Sequence, residues 1–260
     1  SFVDPVTSEV VDNCQHVLLG CCTNLIDCYR RLGVVDRIRW HRRLYFCAAP
    51  AGADDPVDID VLESDDLPAP LHMTRALMAF KSLCLLEKLA IGRGMLAIMR
   101  LGARRSKLHD RTFAEWLYTL GQPETAIEKF WAPIVTSACN ELPQRVAADY
   151  AIQVFQEGFL ANENAYVMGV PAVPLIELYQ RAEQVMHDVD GELLFSTSAT
   201  SVDYEQGRIT ALHLANGNTL HADAFVSAVP FDRLSQLCPP ELLDADPRLG
   251  QLAGFEVSPI

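Results

Sequence analysis

Apolar residues keep helical spacing through the middle of the chain and gather into short β-prone runs near its end, so helices and strands are expected in separate blocks. Between Leu71 and Gly102, the positions Leu77, Phe80, Leu83, Leu86, Leu89, Met95, Leu96 and Met99 predict two helices, broken near Gly92-Arg93-Gly94. Thr112 with Glu115 makes a capping box for a helix carrying Phe113, Trp116 and Leu117, which Gly121 would end. Pro123 opens a helix with Ile127, Phe130, Trp131, Ile134 and Val135, running to about Ala138, and another is expected from Gln144 to Phe159. A further helix spans Leu175 to Met186 and stops at Asp190-Gly191.

The flanks read differently. A short helix is expected from Asn24 to Leu32 with Gly33 as its stop, then a strand from Ile38 to Phe46 with a hairpin partner at Val57 to Leu62. That partner lies in an acidic stretch, Asp54, Asp55, Asp58, Asp60, Glu63, Asp65 and Asp66, which reads as a solvated edge. Towards the end, Leu193 to Thr197, Ile209 to Leu214, and Leu220 leading into Phe225 to Val229 predict a meander divided at Gln206-Gly207 and Asn216-Gly217. The last run, Ala224 to Val229, is apolar on both faces, as in a buried strand, and ends at Pro230.

Composition narrows the classes. The chain has 260 residues, 50% of them hydrophobic, enough to bury a substantial core. A formal charge of -13 excludes a general nucleic-acid binder, which needs clustered Lys and Arg over a face. Eight cysteines at no regular spacing read as reduced thiols of a cytoplasmic protein. No C-x-x-C pair accompanies Cys14, Cys21, Cys22, Cys28 and His16, so no metal is expected. No run of about 18 apolar residues and no signal peptide is seen. Ser1 at the start and Val257-Ser258-Pro259-Ile260 at the end suggest a fragment.

Four segments resemble one family. Asp12-Asn13-Cys14-Gln15-His16, leading to Gly20, resembles the D-N-G-Q-H-x-x-x-G motif of hydroxysqualene dehydroxylases, with Cys14 where that motif has glycine. Phe130-Trp131-Ala132-Pro133-Ile134 with Ala138-Cys139-Asn140-Glu141, and Val154-Phe155-Gln156-Glu157-Gly158-Phe159, are similar to helices of the same group's substrate domain. Gly217 to Pro230 resembles the G-x-x-x-x-A-D-x-V-V-x-A-x-P signature of amine oxidase-like flavoproteins, a superfamily that includes phytoene desaturases.

The resemblance implies an α/β flavoprotein: an α+β substrate domain inserted in a Rossmann-like FAD-binding domain of the amine oxidase type, without its N-terminal phosphate loop and acidic ribose ligand. Residues 1–37 would belong to the FAD-binding domain, 38–190 to a mainly helical substrate domain, 191–235 to the FAD-side meander and 236–260 to the return. Lacking that loop, this chain alone is expected to bind FAD poorly.

The implied reaction is reductive removal of a hydroxyl from hydroxysqualene, which needs an acid for the leaving group. By resemblance His16 and Asp12 are the catalytic candidates, set against structural roles for both. Asn13, Gln15, Val202, Ala228, Val229 and Pro230 are the cofactor-binding candidates. A carotenoid desaturase, another amine oxidase-like enzyme and a non-catalytic lipid-binding remnant stay open as alternatives. The implied partner is a hydrophobic isoprenoid.

Residues 75–111 hold nine basic residues against Glu87 and Asp110, an excess of seven, beside a stripe of Leu and Met. This fits a peripheral contact with the inner face of the cytoplasmic membrane, or core helices with a solvated basic face. Met73, Met78, Met95 and Met99 are candidates to line an apolar tunnel or to fill plain core.

Overall fold

A computed structural model describes residues 2–12, 17–47 and 57–255. The chain forms two compact units, a larger one that ends at Val185 and a smaller one that begins at Met186.

In the larger unit, the capping box forms as the sequence predicts. Glu115 N donates to Thr112 Oγ1 at 3.2 Å and Thr112 N donates to Glu115 Oε2 at 2.9 Å, starting the helix Phe113–Thr119. The helix Thr23–Arg31 also stands where its pattern places it. Around Gly92-Arg93-Gly94 the expected break is absent, and one helix runs from Leu85 to Leu101. Its glycines do not end it, because Gly94 is where the helix passes closest to the Trp131 ring and a side chain is not accommodated. The helix expected from Gln144 begins only at Ala148 and continues past Phe155 into a π turn, Gln156–Leu160. A second π turn, Ile127–Trp131, joins Glu124–Ala126 to the helix Ala132–Cys139.

These helices pack around aromatic rings. Trp131 and Phe155 meet edge to face at 4.8 Å between centroids, with Phe113 and Phe130 against Trp131. The indole N–H of Trp131 donates to Gln122 Oε1 at 3.0 Å, and Gln122 Nε2 donates to the Ala90 carbonyl at 2.7 Å. A buried polar pair is thus fully used, which is the condition for placing it in a core.

The expected strand Ile38 to Phe46 is two strands, Ile38–His41 and Leu44–Cys47. Between them Arg42 reaches Asn164 and Arg43 pairs with Glu63, so the chain turns where two long cations need separate partners. Leu44–Cys47 pairs antiparallel with Ile59–Leu62, Leu44 opposite Leu62. Ile38–His41 instead flanks Met168–Pro171, a strand with no clear sequence signal, whose other edge pairs with Leu18–Leu19. Gly169 at its centre has Ile38, Leu18 and Trp40 within 3 Å of where a Cβ would stand, so only glycine lets the three strands close. Asp60 departs from the solvated-edge reading. It is buried and accepts from Lys81 N, Ser82 N and the Ser82 hydroxyl, tying the hairpin to the segment before Leu85.

The smaller unit is an antiparallel meander of Ala199–Glu205, Arg208–Leu214 and Thr219–Leu220, turning at Gln206-Gly207 and at Gly217. Its first strand starts at Ala199, so Leu193 to Thr197 is not the strand that the sequence predicts. Nor is Ala224 to Val229. That run has no strand partner among the described residues, and Val226 is 96% exposed. Strand propensity acts only where a neighbour completes the ladder. The helices Phe231–Leu237, Pro240–Ala245 and Pro247–Gln251 follow.

Candidate functional site

The larger unit carries a half-open cavity of about 1440 Å³, lined mainly by apolar atoms. Sites for drug-sized ligands usually hold roughly 300–1,000 Å³, so this one suits a longer molecule. The hairpin supplies Leu44, Tyr45 and Phe46 to its wall, and Leu18, Leu19 and Met168 come from the three-stranded sheet.

Both π turns open onto it. A π turn holds an extra residue and so changes which side chains face which way; such turns are frequent at functional sites. In the first, Ile127, Phe130 and Trp131 go to the core while Glu128 and Lys129 line the cavity. In the second, Glu157, Gly158 and Phe159 line it. The Lys129 ammonium donates to the Ser82 carbonyl at 3.0 Å, and Glu157 accepts from Gln153 Nε2 at 2.7 Å. These are the two helical segments that carry the family resemblance, and Pro133, Ile134 and Val154 from them also line the wall.

Cys21, Cys22, Cys47 and Cys139 border the same space. Burial, with Cys22 beside it, pushes the Cys21 thiol up to about 11, and burial also raises Cys139. Both are therefore thiols rather than thiolates near neutral pH, and a thiol is a poor nucleophile and metal ligand. Among the described residues no group of three or more His, Cys, Asp or Glu is placed to hold a metal.

Asn13, Gln15 and His16, with Cys14, lie outside the described residues. Val17, the next described residue, lines the cavity. Asp12 Oδ2 accepts from the Leu175 backbone N–H at 3.1 Å, at the first turn of the helix Leu175–Tyr179. Val202 sits within the strand Ala199–Glu205, opposite Leu212. Ala228, Val229 and Pro230 are exposed; the Pro230 carbonyl accepts from Arg233 N and Leu234 N, and the helix that starts there packs on the strand of Val202. Asp12 is part of the larger unit, and the other four belong to the smaller. None of the tunnel candidates Met73, Met78, Met95 and Met99 lines the cavity, because their helices turn them to the core or to solvent. Glu128, Lys129 and Glu157 are absent from the sequence-level candidates, since a π turn leaves no distinct mark in hydrophobic spacing.

The resemblance implies FAD, with Ala228, Val229 and Pro230 among the residues that would hold it. The backbone from Ala224 to Val229 belongs to no helix or strand and makes no backbone hydrogen bond among the described residues, which leaves its donors and acceptors open. Among the described residues no helix opens on a glycine-rich turn of the kind that cradles a pyrophosphate.

The family model of flavin-containing amine oxidoreductases matches residues 2–256. The 15-cis-phytoene desaturase of Synechococcus elongatus is 24% identical over 255 residues, covering 94% of this chain and 52% of that protein. The chloroplast and chromoplast 15-cis-phytoene desaturase of Arabidopsis thaliana is 24% identical over 228 residues, covering 86% of this chain and 40% of its own length. The chain thus spans about half the length, or less, of these curated relatives. Among solved structures, putrescine oxidase superposes with a TM-score of 0.61 at 13% identity, over 92% of this chain and 52% of that one. An oxidoreductase from Methanosarcina mazei gives 0.59 at 15% identity, with the same coverages of 92% and 52%. The fold is thus the α/β fold of the FAD-dependent amine oxidases. With a family match that takes in both compact units, the chain belongs to the flavin-containing amine oxidoreductases.

Proposed function

We propose that the protein containing this chain is an FAD-dependent oxidoreductase of long apolar isoprenoids, and that its reaction is reductive dehydroxylation of hydroxysqualene to squalene. The observation that carries the reading is the cavity of about 1440 Å³ whose wall is built from the two resemblance-bearing helical segments and their π turns. An elongated hydrocarbon gains its binding energy from buried apolar area, which such a wall supplies.

When bound, the flavin supplies or accepts the hydride equivalent. The chain's own residues hold the substrate and provide a proton for the departing hydroxyl, which leaves as water. His16 remains the proposed proton donor, and Asp12, held by the Leu175 N–H, is proposed to orient the segment that follows it. Val202, Ala228, Val229 and Pro230, with Asn13 and Gln15, are proposed as flavin contacts.

Carotenoid desaturation is the second reading, and the phytoene desaturase relatives favour it as much as they favour the first. The two differ in redox direction. The full-length protein, its flavin reduced without oxygen, is mixed with hydroxysqualene; return of the oxidised flavin bands with formation of squalene supports dehydroxylation. Bleaching of the oxidised flavin by phytoene instead assigns desaturation. A full-length protein without flavin absorption sinks both.

A further inference from the structure

The helix Leu85–Leu101 carries two apolar stripes. Ile91, Gly94 and Ile98 face inward and are buried. On the other side Leu85, Leu89, Gly92, Leu96 and Met99 follow one another at alternating intervals of four and three, and all are exposed. Their exposure is large for such side chains, from 41% at Leu96 to 60% at Leu85, and Leu86 beside them reaches 75%. Isolated exposed leucines are ordinary, but a continuous stripe along a 17-residue helix marks an interaction face.

The rim of this stripe is cationic. At the C-terminal end of the helix a groove of about 470 Å³ is floored by Ala97, Leu101, Leu108, Trp116 and Leu120 and edged by Arg100, Arg104 and Lys107. These three cations form no ion pair among the described residues, although the protein as a whole carries a formal charge of -13. No helix among the described residues is long and apolar enough to cross a membrane.

We propose that this face docks the protein on an anionic phospholipid surface, with the leucine stripe in the headgroup and acyl boundary and lipid phosphates at Arg100, Arg104 and Lys107. Charge complementarity selects this occupant. A two-fold contact with a second copy would set the same unpaired cations close to one another, whereas an anionic bilayer satisfies both the apolar stripe and its rim. The proposal does not depend on which isoprenoid is the substrate.

The test is flotation of the full-length protein with vesicles of phosphatidylcholine alone or mixed with phosphatidylglycerol, at low and high salt, with light scattering on the free protein. Binding to the mixed vesicles, weakened by salt, is expected. The triple variant Arg100→Glu, Arg104→Glu, Lys107→Glu should lower partitioning by at least about a hundredfold, at roughly fivefold per cation removed. The double variant Leu89→Ser, Leu96→Ser should abolish flotation with an unchanged melting temperature, since both side chains face solvent. Equal binding to both vesicle types, or indifference to the triple variant, overturns the proposal. So does absence of vesicle binding by a dimer that the leucine variant separates, which would make the face a contact between copies.

Discussion

Gly94 lies so close to Trp131 that a Cβ at Gly94 would stand 2.8 Å from the ring's Cζ2. The ring has nowhere to go, because Gln122 holds its N–H and Phe113, Phe130 and Phe155 surround it.

Alanine at this position therefore destabilises even though alanine is the better helix former. Gly94→Ala should lose about 1–3 kcal/mol to overpacking. Two residues earlier, Gly92 has nothing within 4 Å, so Gly92→Ala should instead gain up to about 1 kcal/mol from helix propensity. Urea unfolding of the two variants measures the contrast; equal shifts would refute the close approach.

His72 is 0% exposed and neither ring nitrogen has a hydrogen-bond partner among the described residues. Burial lowers its pKa from 6.5, against smaller opposing effects of Glu163 and Asp65. The unfolded chain thus takes up a proton near 6.5 that the folded chain refuses, so stability is full above that pH and is lost as pH falls below it. The slope should be at most about 1.4 kcal/mol per pH unit, and it ends where the folded histidine also protonates. Melting temperature against pH for the wild type and His72→Phe tests this, with the variant expected to lose that part of the acid-side slope.

The Cys21 thiol, raised to about 11 from 9.0, should alkylate roughly a hundredfold more slowly than an unperturbed thiol near neutral pH. Cys28, Cys47 and Cys84 are exposed and should react before it. Mass-spectrometric timing of iodoacetamide labelling gives the order, and early modification of Cys21 would contradict its burial.

Ala138 lines the cavity from the helix Ala132–Cys139. Ala138→Trp should occupy ligand space without entering the aromatic core, lowering affinity for a long polyene at least about tenfold while leaving the unfolding midpoint nearly unchanged. Retained affinity, measured by fluorescence of a bound polyene, would place the ligand elsewhere.

Several elements were legible from local order alone. The capping box at Thr112 and Glu115, the helix near Thr23 and the turn signals at Gln206-Gly207 and Asn216-Gly217 depend on residues within a few positions of one another. Of the site, the two segments that resemble the substrate domain of hydroxysqualene dehydroxylases were legible as motifs, and both reach the cavity wall.

Other features required contacts distant in the chain. Gly92-Arg93-Gly94 reads as a break until Trp131, far along the chain, fills the space beside Gly94. Met168–Pro171 becomes a strand because Leu18–Leu19 and Ile38–His41 flank it, while the strongly apolar Ala224 to Val229 finds no such neighbours among the described residues. Local order in the sequence was enough for the helical spacing, the caps, the turns and membership of the amine oxidase-like flavoproteins. Only the tertiary structure decided which of two equally apolar stripes on Leu85–Leu101 is buried and which charged side chains line the cavity. Periodicity specifies that a face is apolar, but what covers that face is set by the rest of the chain.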